Sequence, residues 1–251
     1  MIPKSKIAYV RSLHDKQTRY SEGVFLVEWR KSILECITSE FEIIEGFFTE
    51  KMPADVVVSF PVEHITQTEL ARLTTLISND SWLLLVKMRP QVLPKCAGNE
   101  LVLVLDGIND PGNLGTIVRI ADWYRVTHII ASLDTVDFYN PKVLMATMGS
   151  FTRVSIFYTK IDQYLSKIWG VVYGAYLDGE NIHTKSFAHA GAHLVIGSEA
   201  HGISTGVEPY ITDRITIPRF GRAESLNAGV ATAIIVDRIR SYKNTSSETH
   251  Q

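Results

Sequence analysis

The sequence predicts an α/β protein of two domains, the larger of them built on an open, mostly parallel sheet. Over residues 100–243, apolar runs of strand length alternate with amphipathic segments, which is typical of doubly wound folds. Two prolines and a glycine interrupt the periodicity at residues 89–99, as at a domain boundary. Three apolar runs end in loops of small and polar residues, and ligands of open sheets bind at such loops.

Residues 1–90 are predicted to form a small N-terminal α/β domain, followed by a linker over residues 91–99. Residues 5–20 are polar with spaced apolar positions. After them, periodicity predicts a strand at 23–27, a helix at 28–39 and strands at 43–48, 56–59 and 81–86. Thr66 with Glu69 three residues later is a capping box that predicts the start of a further helix.

Residues 100–243 are predicted to form the larger domain. Continuous apolar runs predict buried parallel strands at 101–105, 127–132, 171–177 and 194–197. Helices are predicted at 115–124, 140–148 and 225–242. The polar tail at 244–251 has no apolar anchor, so it is predicted to be disordered.

Composition limits the partners of the chain. Its 251 residues are 45% hydrophobic and carry a formal net charge of −2, so any nucleic-acid partner would have to bind local basic patches. Basic residues outnumber acidic ones near the start of the chain, although any one of them could simply be solvated: Lys4, Lys6, Arg11, Lys16, Arg19, Arg30 and Lys31.

Localisation and metal content follow from what the sequence lacks. No apolar run of membrane-spanning length or signal-peptide type occurs, so we expect a cytoplasmic protein. Cys36 and Cys96 have no partner spacing for a zinc site or a disulfide framework, and the histidines show no ligand spacing. We therefore expect reduced thiols and no catalytic metal.

The first motif, at residues 110–115, opens a helix that carries Arg119. Its glycines allow close backbone approach, and Asn113 offers both a donor and an acceptor. The motif lacks the spacing of a dinucleotide fingerprint and the Gly-Lys-Ser/Thr ending of a P-loop. If the helix begins near Leu114, Arg119 lies in its second turn, where it could meet a phosphate or a ribose hydroxyl. It could equally be a solvated helix arginine.

The second motif places Glu199 in a loop bounded by Gly197 and Gly202 at the end of a strand. Its carboxylate could accept hydrogen bonds from a substrate or orient an arginine such as Arg119. Alternatively, Glu199 caps the segment that starts near Ile203.

The third motif runs from Ile217 and Pro218 to Ser225, Leu226 and Asn227, before a helix of small residues. Ser225 and Asn227 could donate or accept hydrogen bonds at the start of this helix, although an ordinary N-cap would also use Ser225. The small residues could admit a cofactor or simply allow close helix packing.

Together and in this order, the three motifs resemble those of the SpoU-type, or TrmH-like, RNA ribose 2′-O-methyltransferases of the SPOUT superfamily. The resemblance spans the second domain, and residues 23–28 are similar to the start of the family's N-terminal substrate-binding domain. Trp29 and Arg125 stand where glycine is common in the family, and Ser198 stands where asparagine is frequent. The Trp29 departure indicates that the RNA-facing surface of the first domain differs from that of the family.

The resemblance implies a Rossmann-like sheet with a C-terminal deep trefoil knot, S-adenosylmethionine bound in the knot, and a homodimer whose active sites take residues from both subunits. By the same resemblance, the backbone at Gly197, Ile217 and Leu226 holds the cofactor. The catalytic group comprises Asn113, Arg119, Glu199, Ser225 and Asn227. Because a guanidinium is a poor proton acceptor, we expect Arg119 to hold the RNA and stabilise the forming alkoxide, while the other four orient it.

The expected acceptor is a ribose 2′-hydroxyl of RNA, with ribosomal RNA favoured over transfer RNA; no DNA or membrane partner is expected. Two alternatives stay open on the sequence alone. One is an RNA-binding protein that keeps the knotted fold without activity. The other is an enzyme of the same superfamily that methylates a base nitrogen.

Overall fold

A computed structural model describes residues 2–49, 56–74, 82–93, 100–187 and 191–248, without the side chains of 243–248. The chain divides into two compact units. The first comprises residues 1–90 together with 137–152, and the second comprises 91–136 and 153–251. Most of the predicted linker, including Cys96, lies outside the described residues.

The secondary structure alternates throughout the chain. The strands are β1 (Val24–Glu28), β2 (Ile43–Phe48), β3 (Val62–His64), β4 (Trp82–Lys87), β5 (Leu101–Asp106), β6 (His128–Ala131), β7 (Ser155–Tyr158), β8 (Val171–Asn181), β9 (Ala192–Gly197) and β10 (Asp213–Thr216). The α-helices are α1 (Lys4–Ser12), α2 (Lys16–Glu22), α3 (Arg30–Ile37), α4 (Gln67–Leu73), α5 (Pro111–Trp123), α6 (Pro141–Thr147), α7 (Ile161–Leu165) and α8 (Ala228–Glu248).

The first unit is built on a four-stranded sheet of order β1-β4-β2-β3. Strand β4 is antiparallel to both neighbours, and β2 and β3 are parallel. The predicted capping box is present, with the Thr66 side chain and Glu69 each bonded to the other's backbone N–H. The strand predicted at 56–59 is absent. Val57 is exposed there, so this segment does not pack an apolar face against the core. The next strand, β3, begins after Pro61 instead.

A buried ion pair ties residues 137–152 into the first unit. Arg19 Nη2 donates to Asp137 Oδ2 over 2.6 Å, and both side chains are almost fully buried. Arg19 Nη1 donates to the carbonyls of Leu13 and His14, and the Tyr20 hydroxyl donates to the second Asp137 oxygen over 2.9 Å. Arg19 is therefore a structural residue, and its predicted place on a basic surface is wrong.

Two of the three positions at which this chain differs from the family pattern share an unusual backbone conformation. Trp29 has a φ of 86° and Arg125 a φ of 54°, in the left-handed region where a Cβ is disfavoured and glycine is not. Arg125 directly follows the C-cap of α5, a usual site for a glycine. The backbone conformation at each position therefore favours glycine. The side chains of Trp29 and Arg125 add conformational strain that glycine would not have.

Arg125→Gly is expected to stabilise the protein by about 1 kcal/mol, because it relieves the left-handed strain beyond α5. Urea unfolding would measure the change. Arg125→Ala is the matched control, since it removes the same charge but retains the Cβ. Equal stability of the glycine and alanine variants would contradict the strain assignment.

The second unit contains a six-stranded sheet of order β10-β8-β9-β5-β6-β7, in which every neighbouring pair is parallel. The predicted parallel sheet is confirmed, and its central strands β5 and β9 are buried almost along their length. Strands β7 and β10 are the sheet edges. The knot implied by the family resemblance stays a prediction.

Helix α8 differs from its predicted bounds at both ends. It begins at Ala228 rather than residue 225 and continues to Glu248, into the segment predicted to be disordered. Extending an existing helix adds one backbone hydrogen bond per residue without a new nucleation cost. A polar tail can therefore continue the helix even though it has no apolar residues to anchor it. None of the helices in the described ranges is long and apolar enough to cross a membrane.

A buried histidine links stability to pH. His193 lies in β9 with its Nε2 2.9 Å from the Tyr164 hydroxyl, and burial lowers its pKa to about 4. The unfolded chain binds a proton at this side chain near pH 6.5. Between about pH 6.5 and 4 the unfolded state is therefore protonated while the folded state is not, so stability falls as the pH falls.

We expect the free energy of unfolding to lose about 2 kcal/mol between pH 7.5 and 5 through His193. His193→Gln should remove that part of the pH dependence while retaining a partner for Tyr164. Urea unfolding at both pH values measures the difference between the two slopes. Parallel slopes for the two proteins would show that His193 is not the group responsible.

Candidate functional site

The three motifs lie where β5, β9 and β10 end. Because these strands are parallel members of one sheet, their carboxyl ends lie at the same edge. The last residues of β5 and β9, Asp106 and Gly197, are direct neighbours in the sheet. The loops that follow each strand therefore start from one edge, as the motif positions predict.

Glu199 is the centre of a hydrogen-bond network that joins all three motifs. Its Oε1 accepts from Asn113 Nδ2 over 3.0 Å, from Asn227 Nδ2 over 3.0 Å and from the Ala228 N–H over 3.1 Å. Asn227 Nδ2 also donates to Asn113 Oδ1 over 2.6 Å. Residues 86 and 28 positions from Glu199 thus meet at one carboxylate oxygen.

Each asparagine of the network is also fixed to its own helix. The Asn113 N–H donates to Asp110 Oδ1 over 2.8 Å, at the N-cap of α5. Asn227 Oδ1 accepts from the N–H groups of Gly229 and Val230, over 3.0 and 3.3 Å. Asn227 therefore caps α8, and the interpretation of Ser225 as an ordinary N-cap is wrong.

Glu199 also serves the N-terminus of α8, through the Ala228 N–H, where a carboxylate is favoured by the helix dipole. The alternative interpretation, that Glu199 caps the segment near Ile203, is wrong. There, the Ser204 N–H donates to Asp106 Oδ2 over 2.7 Å. Asp106 was missed by the sequence reasoning, although an acidic residue at the end of an apolar run could have drawn attention to it.

The Glu199 loop is held against the end of β9 by two backbone hydrogen bonds. The Ser198 N–H donates to the Gly202 carbonyl over 3.0 Å, and the Gly202 N–H donates back over 2.9 Å. A Cβ at Gly197 would lie 2.1 Å from the Gly202 carbonyl carbon. Only glycine fits at Gly197, because the loop backbone occupies the space of any side chain.

Close helix packing accounts for one of the small residues of α8. A Cβ at Gly229 would lie 2.9 Å from Thr116 Cγ2 of α5, so the two helices approach too closely there for a larger residue. This supports the packing interpretation for Gly229.

Two predicted catalytic residues stand outside the network. Arg119 and Ser225 are exposed, and neither side chain forms a hydrogen bond with any other described residue. Helix α5 begins at Pro111, which puts Arg119 in its third turn, not the second. Arg119 is roughly 120° around the helix and about 9 Å along it from Asn113. It therefore points away from the network of its own chain.

The residues predicted to hold a cofactor border the same loops. Ile217 directly follows β10 and is half-buried, while Leu226 is 45% exposed and immediately precedes Asn227. The backbone of Leu226 has no hydrogen-bond partner among the described residues. Free backbone groups beside apolar side chains suit an adenosine-type ligand. In the described ranges no group of three His, Cys, Asp or Glu side chains could hold a metal ion.

Comparison with known proteins gives the family. The SpoU rRNA Methylase family matches residues 100–237, more than half of the chain. The chain belongs to the SpoU rRNA methylase family. The match begins at the residue before β5 and ends within α8, so it includes all three motifs of this SpoU-family protein.

Individual relatives extend the similarity to nearly the whole chain. The 23S rRNA (guanosine(2553)-2′-O)-methyltransferase RlmP of Bacillus subtilis is 27% identical over 94% of this chain and 96% of RlmP. A TrmH-family protein of solved structure from Porphyromonas gingivalis is 32% identical, with a TM-score of 0.84 over 96% of this chain and 99% of that one.

The AdoMet-bound rRNA methyltransferase from Sinorhizobium meliloti has the same fold, with 24% identity, a TM-score of 0.84 and 96% of both chains covered. These comparisons confirm the predicted family, the predicted fold class and the expectation of a SpoU-type RNA 2′-O-methyltransferase. The roles of the individual site residues remain proposals.

Proposed function

We propose that this SpoU-family protein transfers a methyl group from S-adenosylmethionine to a ribose 2′-hydroxyl of ribosomal RNA. The observation that carries the proposal is the network of Asn113, Glu199 and Asn227 at the carboxyl edge of the parallel sheet. The names of the relatives support the substrate: RlmP is a 23S rRNA 2′-O-methyltransferase. The AdoMet-bound structure from Sinorhizobium meliloti supports the cofactor.

The cofactor would be held by the backbone at Gly197, Ile217 and Leu226, with apolar contacts from the last two side chains. When bound, it supplies an electrophilic methyl group. The rigid network around Glu199 fixes the loops on which these backbone groups lie, so the ribose oxygen and the cofactor can be held in a reactive orientation. Preorganised positioning of this kind accelerates methyl transfer, although Glu199 itself takes no part in the chemical step.

Arg119 would bind the RNA phosphate and stabilise the negative charge that develops on the 2′ oxygen. Its guanidinium suits this role because it offers several donors in a planar fork. Ser225 is exposed in the loop that leads to Asn227 and can donate a hydrogen bond to the same ribose or phosphate. The hydroxyl proton then leaves to solvent or to an oxygen of the RNA.

A homodimer would explain how an arginine that faces away from its own network takes part. Gly112, Thr116, Arg119 and Trp123 form one exposed stripe along α5, and Trp123 is 83% exposed. A second copy that covers this stripe would bury the indole and bring Arg119 to the partner's crevice. Sedimentation equilibrium should then give about twice the 28.1 kDa mass of one chain, and a monomer at working concentration would contradict the dimer.

The test of the activity is a product analysis. Purified protein is incubated with labelled S-adenosylmethionine and unmodified ribosomal or transfer RNA, and the methylated nucleotide is located by nuclease digestion and mass spectrometry. We expect label in ribosomal RNA, on a ribose 2′ oxygen. Label on a base nitrogen, label in transfer RNA alone, or no product would each overturn the proposal. We also propose that the protein acts in the cytoplasm, on the ribosomal RNA found there.

A further inference from the structure

Phe220 lies in the loop between β10 and α8 and is 96% exposed. It follows Pro218 by two residues and precedes the network residue Asn227 by seven. Among the described residues, the Phe220 ring has no aromatic or cation contact. A single exposed apolar side chain is ordinary on a protein surface, so its position and its neighbours decide what it means.

The position of Phe220 is at the candidate site. Strand β10 ends at Thr216 on the same sheet edge as the Glu199 loop, and the Thr216 hydroxyl donates to the Leu177 carbonyl over 3.1 Å. The other end of the loop is fixed where Asn227 bonds Glu199 and the first turn of α8. Phe220 therefore projects from a loop whose two ends are anchored at the crevice.

The neighbours of Phe220 are cationic. Arg219 and Arg222 are both exposed, and neither forms an ion pair within the described residues. Arg219 Nη1 only donates to the Ala223 carbonyl, over 3.4 Å, and one acidic residue, Glu224, shares the loop. An exposed ring between two guanidinium groups that lack ion pairs matches single-stranded RNA, whose unpaired bases stack on aromatic side chains while arginines bind the phosphates.

We infer that Phe220 stacks on an unpaired base at the acceptor nucleotide, with Arg219 and Arg222 holding the adjoining phosphates. This inference rests on the proposed function and extends it: the enzyme takes its acceptor from a loop, bulge or opened helix of the RNA. An aromatic face holds any base, so stacking positions the nucleotide and leaves its identity to other contacts.

The chain provides a matched control. Trp169 is 99% exposed and lies two residues before β8 begins, at the amino end of the strands and so at the sheet edge opposite the site. Removing either ring exposes no core. Only loss of Phe220 should affect the RNA.

The experiment compares Phe220→Ala, Phe220→Leu, Phe220→Tyr and Trp169→Ala with the unaltered protein on an unmodified large-subunit ribosomal RNA transcript. Methylation under kcat/KM conditions, RNA affinity by fluorescence anisotropy and S-adenosylmethionine affinity by calorimetry are measured for each. Alanine and leucine at Phe220 should each lower kcat/KM roughly 10- to 100-fold, mainly through weaker RNA binding. Tyrosine at Phe220 and alanine at Trp169 should stay within about threefold, and cofactor affinity should not change.

Several outcomes would overturn the stacking role. A leucine variant as active as the unaltered protein would show that apolar bulk, not a flat ring, is needed. A shift of Phe220→Ala to a smaller species in sedimentation would assign the ring to contact with a second copy. Full activity of Phe220→Ala would leave the ring without a role in the reaction. Failure of the unaltered protein to methylate this RNA would instead count against the proposed function.

Discussion

Replacing Arg119 with alanine is expected to lower the rate of methyl transfer roughly 10²- to 10³-fold while leaving the affinity for S-adenosylmethionine nearly unchanged. The size follows from removing one charged donor at developing negative charge. Cofactor binding should survive because the Arg119 side chain forms no hydrogen bond with the described residues of the Glu199 network. Single-turnover methylation and calorimetric titration of the cofactor measure the two quantities separately.

Two further variants sharpen the Arg119 test. Arg119→Lys keeps the charge but loses the planar fork, so an intermediate rate is expected. Arg125→Ala removes an exposed arginine just beyond the same helix and should leave methylation intact. A loss of cofactor affinity that matches the loss of rate would refute the assignment of Arg119 to the RNA.

Gly197→Ala is expected to weaken cofactor binding and to lower the rate of methylation by on the order of 10²-fold. Its Cβ would meet the Gly202 carbonyl carbon at 2.1 Å and the Ile203 nitrogen at 2.3 Å, and backbone atoms cannot move aside as a side chain can. The loop must shift and take Glu199 with it. A displacement of about 1 Å at reacting groups costs on the order of 10²-fold in rate, and the stability should fall as well.

Gly206→Ala is the matched control for this substitution. A Cβ at Gly206 meets nothing within 4 Å, and its backbone is outside the left-handed region. Its binding and activity should equal those of the unaltered protein. A Gly197→Ala protein that still binds the cofactor with normal affinity would show that the loop does not contribute to that site.

Much of the site could be predicted from the sequence because its residues sit at strand ends. The periodicity of the apolar runs located β5 and β9, and parallel strands bring their carboxyl ends together. That reasoning placed Asn113, Glu199 and Asn227 in neighbouring loops. It did not show that Glu199 bonds both asparagines, since partners 86 and 28 residues apart are chosen by packing alone.

Other features lay beyond the reach of sequence patterns. The burial of Arg19 depends on Asp137, 118 residues away, and basic residues are ordinarily exposed. The left-handed backbone at Trp29 and Arg125 leaves no trace in composition, although the family's glycines at both positions pointed to it. The exposure of Phe220 follows from the tertiary structure, because an aromatic residue in a loop can be either buried or exposed.

The Arg19–Asp137 pair has a consequence for biosynthesis. When the ribosome has released only the first 90 residues, the guanidinium has two carbonyl acceptors but no counter-ion, and a buried unpaired charge costs several kcal/mol. The native surroundings of Arg19 are therefore complete only after residue 137 has left the exit tunnel. Co-translational folding of this protein cannot proceed strictly from one end of the chain to the other.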